Sequence, residues 1–342
     1  MKRQLIWGFI FLLSTCCDVY AQQLSHYNQY ILNNYIINPA VTGIENYTDI
    51  KLSARNQWIG ITGAPKTIYA TIHAPIGKSD DRQQPTSFDM IGRNMRGNGF
   101  IPSYNEASPH HGVGLTTMQF STGYINRTTV YGTYAYHIGL SPKFSLSAGF
   151  GGGLSHFNID ESKILLPGQD PEGETPNIDF LYENSTFNST KPELNAGIWL
   201  YSENLFFGVS AQQIIPFKLK VEETALNSSS LVPHLFMTAG YKIPISFDVH
   251  FLPSIMVRYV SSLPTAYDLN LKAQFLDVFW IGGSYRNKAG FASMVGLNLA
   301  RKLHISYSFD LKQGNMESMS FMNRGTHELV IGFLIGNAYK SL

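Results

Sequence analysis

Apolar and polar residues alternate along much of this chain with a period of two. Across 265–275, Tyr267, Leu269, Leu271, Ala273 and Phe275 fall on one face, and Asp268, Asn270, Lys272 and Gln274 on the other. In 250–260, Phe251, Ile255, Val257 and Tyr259 alternate with His250, Ser254 and Arg258. In 304–311, Ile305, Tyr307, Phe309 and Leu311 alternate with His304, Ser306, Ser308 and Asp310. Near the start, Ile50, Leu52 and Ala54 alternate with Lys51, Ser53 and Arg55. Strands that face lipid on one side and a polar lumen on the other alternate in this way over about ten residues.

Segments of this kind lie near 48–58, 65–76, 111–120, 123–138, 143–157, 192–202, 205–213, 234–243, 249–260, 265–275, 277–286, 290–299, 302–311 and 326–335. They make about fourteen strands, an even number as single-chain bacterial barrels require. The pattern predicts an all-β chain folded as a transmembrane antiparallel up-and-down β-barrel. A secreted β-sandwich also alternates, and Leu205-Phe206-Phe207-Gly208-Val209 is apolar on both faces. Long, evenly spaced strands favour the barrel.

The first residues bear on the compartment. Lys2 and Arg3 precede an apolar run at 5–13, and Val19-Tyr20-Ala21 offers a small-residue cleavage site. This reads as a signal peptide over 1–21. The run is shorter than the roughly 20 residues a spanning helix needs. Leu13-Ser14-Thr15-Cys16 is a rival lipobox, with Thr15 a poor match before the cysteine. The expected domains are 1–21 as signal peptide, 22–47 as a periplasmic or plug segment, and 48–336 as the barrel. Ser25 as N-cap predicts a short helix over 26–36 that plugs or braces the barrel.

Composition narrows the function classes. Charged residues make up 14% and aromatics 13%, against about 25% charged in an average soluble domain. Without a spanning helix, an exported chain of this kind satisfies its backbone in lipid by closing a barrel. The whole chain carries 25 Lys and Arg against 24 Asp and Glu, and loss of Lys2, Arg3 and Asp18 with the leader leaves the two even. That balance gives no footprint for nucleic acid. Both cysteines, Cys16 and Cys17, precede the cleavage point, which removes thiolate chemistry and disulfides from the mature chain.

Lys51, Arg55, Arg258, Asp268, Lys272, Asp310 and Glu328 are expected to face the lumen and to brace it, because buried charges need partners. Arg258 with Asp268 is one expected pairing. Trp58, Trp199, Trp280, Tyr201, Tyr241 and Tyr285 near strand ends are expected in the interface girdles. Gly149, Gly151, Gly152 and Gly153 read as a kink or a close approach inside the barrel. With both termini periplasmic, hairpins 58–64, 158–191, 214–232 and 311–325 face outside. The long segment 77–110 then lies on the periplasmic side, either as a disordered insertion or as a docking element, centred on 80–105, for a periplasmic partner.

Catalytic and metal signatures are lacking. His327-Glu328-Leu329-Val330-Ile331 has no second histidine for a zinc-protease motif, and neither G-x-S-x-G nor a P-loop occurs. His110 and His111 are adjacent and point to opposite strand faces, so they chelate poorly. Asp160, Glu161, Asp170, Glu172, Glu174 and Asp179 lack EF-hand spacing. The chain is therefore expected to be no enzyme and to carry no cofactor or metal.

A series of short blocks carries a family resemblance. Tyr27-Asn-Gln-Tyr30 is followed by Asn38-Pro39-Ala40-Val41-Thr42-Gly43, by Arg55-Asn56-Gln57-Trp58 and by Gly63-Ala64-Pro65-Lys66-Thr67. Later come Tyr131-Gly-Thr-Tyr134-Ala-Tyr136, Leu165-Leu166-Pro167 and His234-Leu-Phe-Met-Thr-Ala-Gly240-Tyr241. The last are Trp280-Ile-Gly282-Gly-Ser284-Tyr285-Arg286 and Gly325-Thr326-His327-Glu328-Leu329. In this order they resemble the PorP/SprF family of type IX secretion and gliding-motility outer-membrane proteins. Two features depart from the pattern: 77–110 is longer than usual, and the chain runs past its last strand to Leu342 instead of ending on an aromatic. The resemblance implies a non-enzymatic outer-membrane component that supports export or surface attachment. Its partners would be outer-membrane lipid, the periplasmic ring components of that system, or one large secreted adhesin. A porin or hydrophobic-solute channel is the alternative, and a passive surface anchor a third reading.

Overall fold

A computed structural model describes residues 30–80, 82–88, 106–159, 188–215, 217–218, 230–246, 248–261, 263–287, 290–311 and 325–337. Fourteen strands form the barrel wall. They are β1 (Thr48–Asn56), β2 (Lys66–Ile76), β3 (His110–Thr122), β4 (Ile125–Gly139), β5 (Ser145–Ile159), β6 (Asn188–Tyr201) and β7 (Leu205–Gln212). The second half comprises β8 (His234–Tyr241), β9 (Val249–Val260), β10 (Ala266–Phe275), β11 (Phe279–Arg286), β12 (Gly290–Leu299), β13 (Leu303–Leu311) and β14 (Thr326–Ile335). Each strand pairs antiparallel with its neighbours in sequence. β1 then pairs with β14, from Thr48 opposite Ile335 to Asn56 opposite His327, and closes the barrel. Closure leaves the wall without a free edge strand among the described residues. Phe217–Lys218 and Ser230–Leu231 form a small separate ribbon, and Ile243–Pro244 extends the β8–β9 hairpin.

The period-two pattern becomes two surfaces. In β12 every second residue from Gly290 is buried and the intervening Phe291, Ser293, Val295, Leu297 and Leu299 are exposed. In β1, Asp49, Lys51, Ser53 and Arg55 are buried while Leu52 and Ala54 are exposed. The exterior is thus a belt of Leu, Ile, Val, Phe and Tyr, far larger than a soluble monomer exposes and suited to lipid. Aromatics cluster at both rims. Tyr134, Tyr136, His111 and Phe150 meet at the end that carries the termini, and Tyr307, Phe309 and His327 at the other. Among the described residues no helix is long and apolar enough to cross a membrane.

Three aromatics expected in the girdles face inward instead. Trp199 and Trp280 are fully buried and Tyr201 nearly so. Each shares parity with inward polar neighbours, Asn195 on β6 and Ser284 on β11. Large rings are accepted there because the lumen is filled. Tyr241 does face outward.

The N-terminal stretch departs from the single helix expected over 26–36. Residues 26–29 lie outside the described residues. From Tyr30 the chain forms three separate 3-10 turns, Tyr30–Leu32, Asn34–Ile36 and Pro39–Val41. Asn33, Asn34, Tyr35, Ile36 and Ile37 are poor helix formers. Asn33 breaks the first two turns apart and donates to Thr71 Oγ1 on β2 at 3.2 Å.

Segment 77–110 is also different from a free insertion in its described part. Gln83, Gln84, Thr86 and Phe88 are buried, with Trp199 Nε1 donating to Gln84 Oε1 at 3.1 Å and the Phe88 ring 4.8 Å from His304. Most of the suggested docking element, 89–105, lies outside the described residues. So do the leader, the acidic run from Asp160 to Asp179, and Leu165-Leu166-Pro167.

Candidate functional site

The lumen is occupied by the chain's own N-terminal segment, residues 30–47. Nearly every residue in it is buried. Its middle, Asn38-Pro39-Ala40-Val41-Thr42-Gly43, seats on β3–β7. Asn38 caps the turn at Pro39–Val41, its Oδ1 accepting from Ala40 N at 2.9 Å. Its Nδ2 donates to the carbonyls of Ile198 (3.1 Å) and Val209 (3.3 Å), which face each other across β6 and β7. Pro39 fits as the first residue of the turn, where its missing N–H goes unneeded.

The wall answers with hydroxyl and amide groups aimed at the segment's carbonyls. Ser147 Oγ donates to Ala40 O at 2.7 Å, Ser210 Oγ to Ile37 O at 2.6 Å, and Gln212 Nε2 to Ile36 O at 2.8 Å. His137 Nε2 lies 2.8 Å from Thr42 O, and Gly43 N donates to His73 Nδ1 at 3.2 Å. Thr133 Oγ1 meets both Thr42 Oγ1 (3.0 Å) and the Tyr35 hydroxyl (2.8 Å). The segment's short turns satisfy part of its backbone, and its other buried backbone groups need such partners.

Close approach requires glycine on the wall. A Cβ at Gly149 would sit 2.5 Å from Pro39 O and 2.7 Å from Ala40 Cα. At Gly43 and Gly112 the two backbones touch, so a side chain on either would run into the other. Gly43 also has φ +72°, a conformation L side chains rarely adopt. Gly151 and Gly153 serve contacts within the wall, with Thr133 and Tyr131, and Gly152 faces open space.

Apolar packing completes the seat. Ile31, Leu32, Tyr35, Ala40, Val41 and Ile44 of the segment pack with Trp199, Phe206, Leu252, Trp280 and Met294 of the wall. Tyr30, Ile36 and Ile37 pack with Tyr69, Met118, Phe236 and Met256. A small pocket among Asn34, Glu45, Asp49 and His73 has a volume of about 10 Å³, room for a single water. Burial pushes the Glu45 carboxyl above the usual carboxylate range, with Asp49 adding to the rise against bonds from Ser87 and Gln84 and the charge of Lys78. Burial likewise raises the Tyr47 hydroxyl, helped by Glu45 and Asp49.

The opposite wall carries an arc of charge. Arg55 on β1 lies 3.6 Å from Glu328 on β14 and 3.3 Å from Asp310 on β13. Arg286 on β11 lies 3.0 Å from Asp310 and 3.8 Å from Asp268 on β10. Ser53 Oγ donates to Glu328 at 3.3 Å, and Thr67 is buried opposite Arg55. The register sets Arg258 opposite Ala266 and Asp268 opposite Met256, and Arg286, which pairs directly with Asp268 in the ladder, lies 3.8 Å from its carboxylate, to which Arg258 also lends its charge. Lys51 pairs with Asp49, and Lys272 sits over the Trp280 ring at 5.2 Å.

Apart from Thr326, which shares the inward parity of Glu328, the remaining motif residues are not in the lumen. Gln57, Trp58, Gly63, Ala64 and Pro65 form the β1–β2 connection, where Gln57 N donates to Pro65 O and Gly123 N to Gly63 O. Tyr285 packs outward on Phe291. Gly325 has φ +65° beside the Phe309 ring. Thr326 is buried at the start of β14, and His327 points outward to Tyr307.

Sequence reasoning missed the seat's wall partners, His73, His137, Ser147, Ser210 and Gln212. Their parity places them inward, but nothing local says what they meet. Among the described residues no three His, Cys, Asp or Glu side chains stand together as a metal site.

The family described as type IX secretion system membrane protein PorP/SprF matches residues 19–333. No curated protein sequence matches the chain. Similar solved structures include the Pseudomonas putida toluene transporter TodX, at 9% identity and TM-score 0.48, over 92% of this chain and 95% of that one. The Acinetobacter baumannii outer membrane protein Omp33 gives 9% identity and TM-score 0.44, over 86% and 100%. The Ralstonia pickettii toluene transporter TbuX gives 8% and 0.43, over 87% and 92%.

Proposed function

The chain belongs to the PorP/SprF family of type IX secretion system membrane proteins, and from that premise we propose that it works as a plugged, non-enzymatic barrel supporting export or surface attachment. It is an outer-membrane component of that secretion system. The observation that carries the finer reading is the seating of Asn38–Gly43 on a glycine-lined wall, which fills the lumen. A passage for solute would need that space. A rigid, filled barrel suits a platform whose working surfaces are its two rims.

In this reading 1–21 is the leader, 22–47 the plug and 48–336 the barrel, with the termini in the periplasm. The periplasmic rim, including 77–110, would meet the ring components. The outer rim would serve exported proteins or one large adhesin. The family-motif residues divide accordingly: Asn38 to Gly43 hold the plug, while Arg55, Arg286 and Glu328, together with the lumen charges Asp268 and Asp310, brace the wall.

The test is the surface and secreted proteome of a strain lacking the protein, compared with its parent. Loss of many exported proteins places it in the core machinery, and loss of one large surface protein makes it a dedicated partner. An unchanged proteome removes the secretion reading and returns the solute channel to first place.

A further inference from the structure

The lipid-facing belt has one hollow. On β1, β2, β3 and β14 the small side chains Ala54, Ala70 and Thr117 lie among Leu52, Ile68 and Leu329 and leave an apolar groove of about 370 Å³ on the barrel exterior. Leu52, Ile68 and Leu329 are 45%, 58% and 44% exposed, so the groove opens outward. It lies in the half of the barrel away from the termini. One register step further toward that rim, the outward row turns polar: Asn56 stands opposite both Lys66 and His327. Lys66 is exposed. Gln119, also outward, borders the groove on β3.

A hollow in a face turned to the bilayer is filled from the bilayer. An apolar slot with a cation at its outer end matches one amphiphile, a hydrocarbon chain beneath an anionic headgroup. Lysine suits phosphate as a compact charge. The long connections at the rim away from the termini place that rim outside, so the occupant comes from the outer leaflet.

We propose that this groove seats one acyl chain of a phosphorylated glycolipid of the lipid A class, with Lys66 at its phosphate. The proposal rests on the orientation given under Proposed function and not on the secretion role.

The test uses the full mature protein in phosphatidylethanolamine nanodiscs doped with lipid A or, separately, with phosphatidylglycerol, and reads retained lipid by native mass spectrometry. Lipid A is expected to stay bound to the unaltered protein. Ala70→Leu, which fills the slot, and Lys66→Gln, which removes the cation, should each lower its retention severalfold. Heat-modifiable gel migration should stay normal, showing that both variants still form barrels. Equal retention in the variants would overturn the proposal, as would retention of phosphatidylglycerol alone, or crosslinking of this face to a second copy in place of lipid. Lys66→Cys, in a mature chain with no other cysteine, reports the orientation separately. Labelling by an impermeant maleimide on intact cells is expected, and no labelling would sink the outer-leaflet assignment while leaving any secretion phenotype untouched.

Discussion

Around the seat, strands β3–β7 present glycine, serine and histidine to the lumen, with charge confined to Lys191 and the Arg127–Glu193 pair nearer the other rim, whereas β9–β14 and β1 present arginine, aspartate, glutamate and lysine. The first wall lies against a chain segment and lets backbone meet backbone, as at Gly43 and Gly112. The second neutralises itself through side chains that link neighbouring and next-neighbouring strands, as Arg286 does with Asp268 and Asp310. Small side chains make a seat specific by shape, because any added atom collides. Opposed charges make a wall rigid by mutual need, because any deleted partner strands another. The two walls should therefore fail in opposite ways, one to addition and the other to deletion.

The largest effect is expected from deleting one charge. Arg286→Met leaves Asp268 and Asp310 short of a partner and should cost about 3 kcal/mol or more, read as a lower temperature for the heat-modifiable shift. The double variant Arg286→Met with Asp310→Leu should recover part of the loss. If both variants unfold alike, the charged wall is not a coupled network.

Next comes addition to the opposite wall. Gly149→Leu places atoms where Pro39 and Ala40 lie, and overpacking of this kind costs roughly 1–3 kcal/mol. The barrel should still close, with the segment displaced and ion conductance gained in planar bilayers. A variant as silent as the unaltered protein would mean the seat yields instead of the segment.

Asn38→Ala is smaller. It removes a cap and two bonds to β6 and β7 carbonyls, about 1–2 kcal/mol in sum. Protease access to the segment should rise while the barrel's thermal shift barely moves.

The smallest effect is pH dependence. The Glu45 carboxyl is raised by burial, so the seated state binds its proton more tightly than the released state does. Seating is then strongest below the ordinary carboxylate range and weakens as pH climbs through the raised value. Glu45→Gln should flatten that dependence in the same protease assay. A slope of the opposite sign would show that Lys78 outweighs burial.

The barrel was legible because lipid imposes one rule on every strand, and Leu269, Leu271, Tyr267 and their neighbours obey it. The lumen was less so. Trp199, Trp280 and Tyr201 defeat the girdle expectation because an aromatic near a strand end suits either an interface or a filled interior, and period two does not say which face it takes. The short helix expected over 26–36 rests on a capping residue, but from Tyr30 the chain makes only short turns and bonds to the wall as well, as Asn33 does with Thr71. The share Arg286 takes in Asp268 was not legible, since register depends on turn lengths that alternation leaves open. The glycine cluster signals a close approach at Gly149, yet its counterpart Ala40 lies 109 positions earlier, and no local pattern links the two.

One consequence concerns the order of assembly. The segment that fills the lumen comes before β1 in the chain, and β1 joins the last strand to complete the ring. Asn38 meets β6 and β7 across 160 and 171 positions. Contacts so remote in sequence form late and slowly. The segment must then lie across the growing, still open sheet before the seam zips shut, or else thread in afterwards through the mouth on the side of the termini. In the first case it acts as a former on which the cylinder is rolled, and the circumference is gauged by what it encloses.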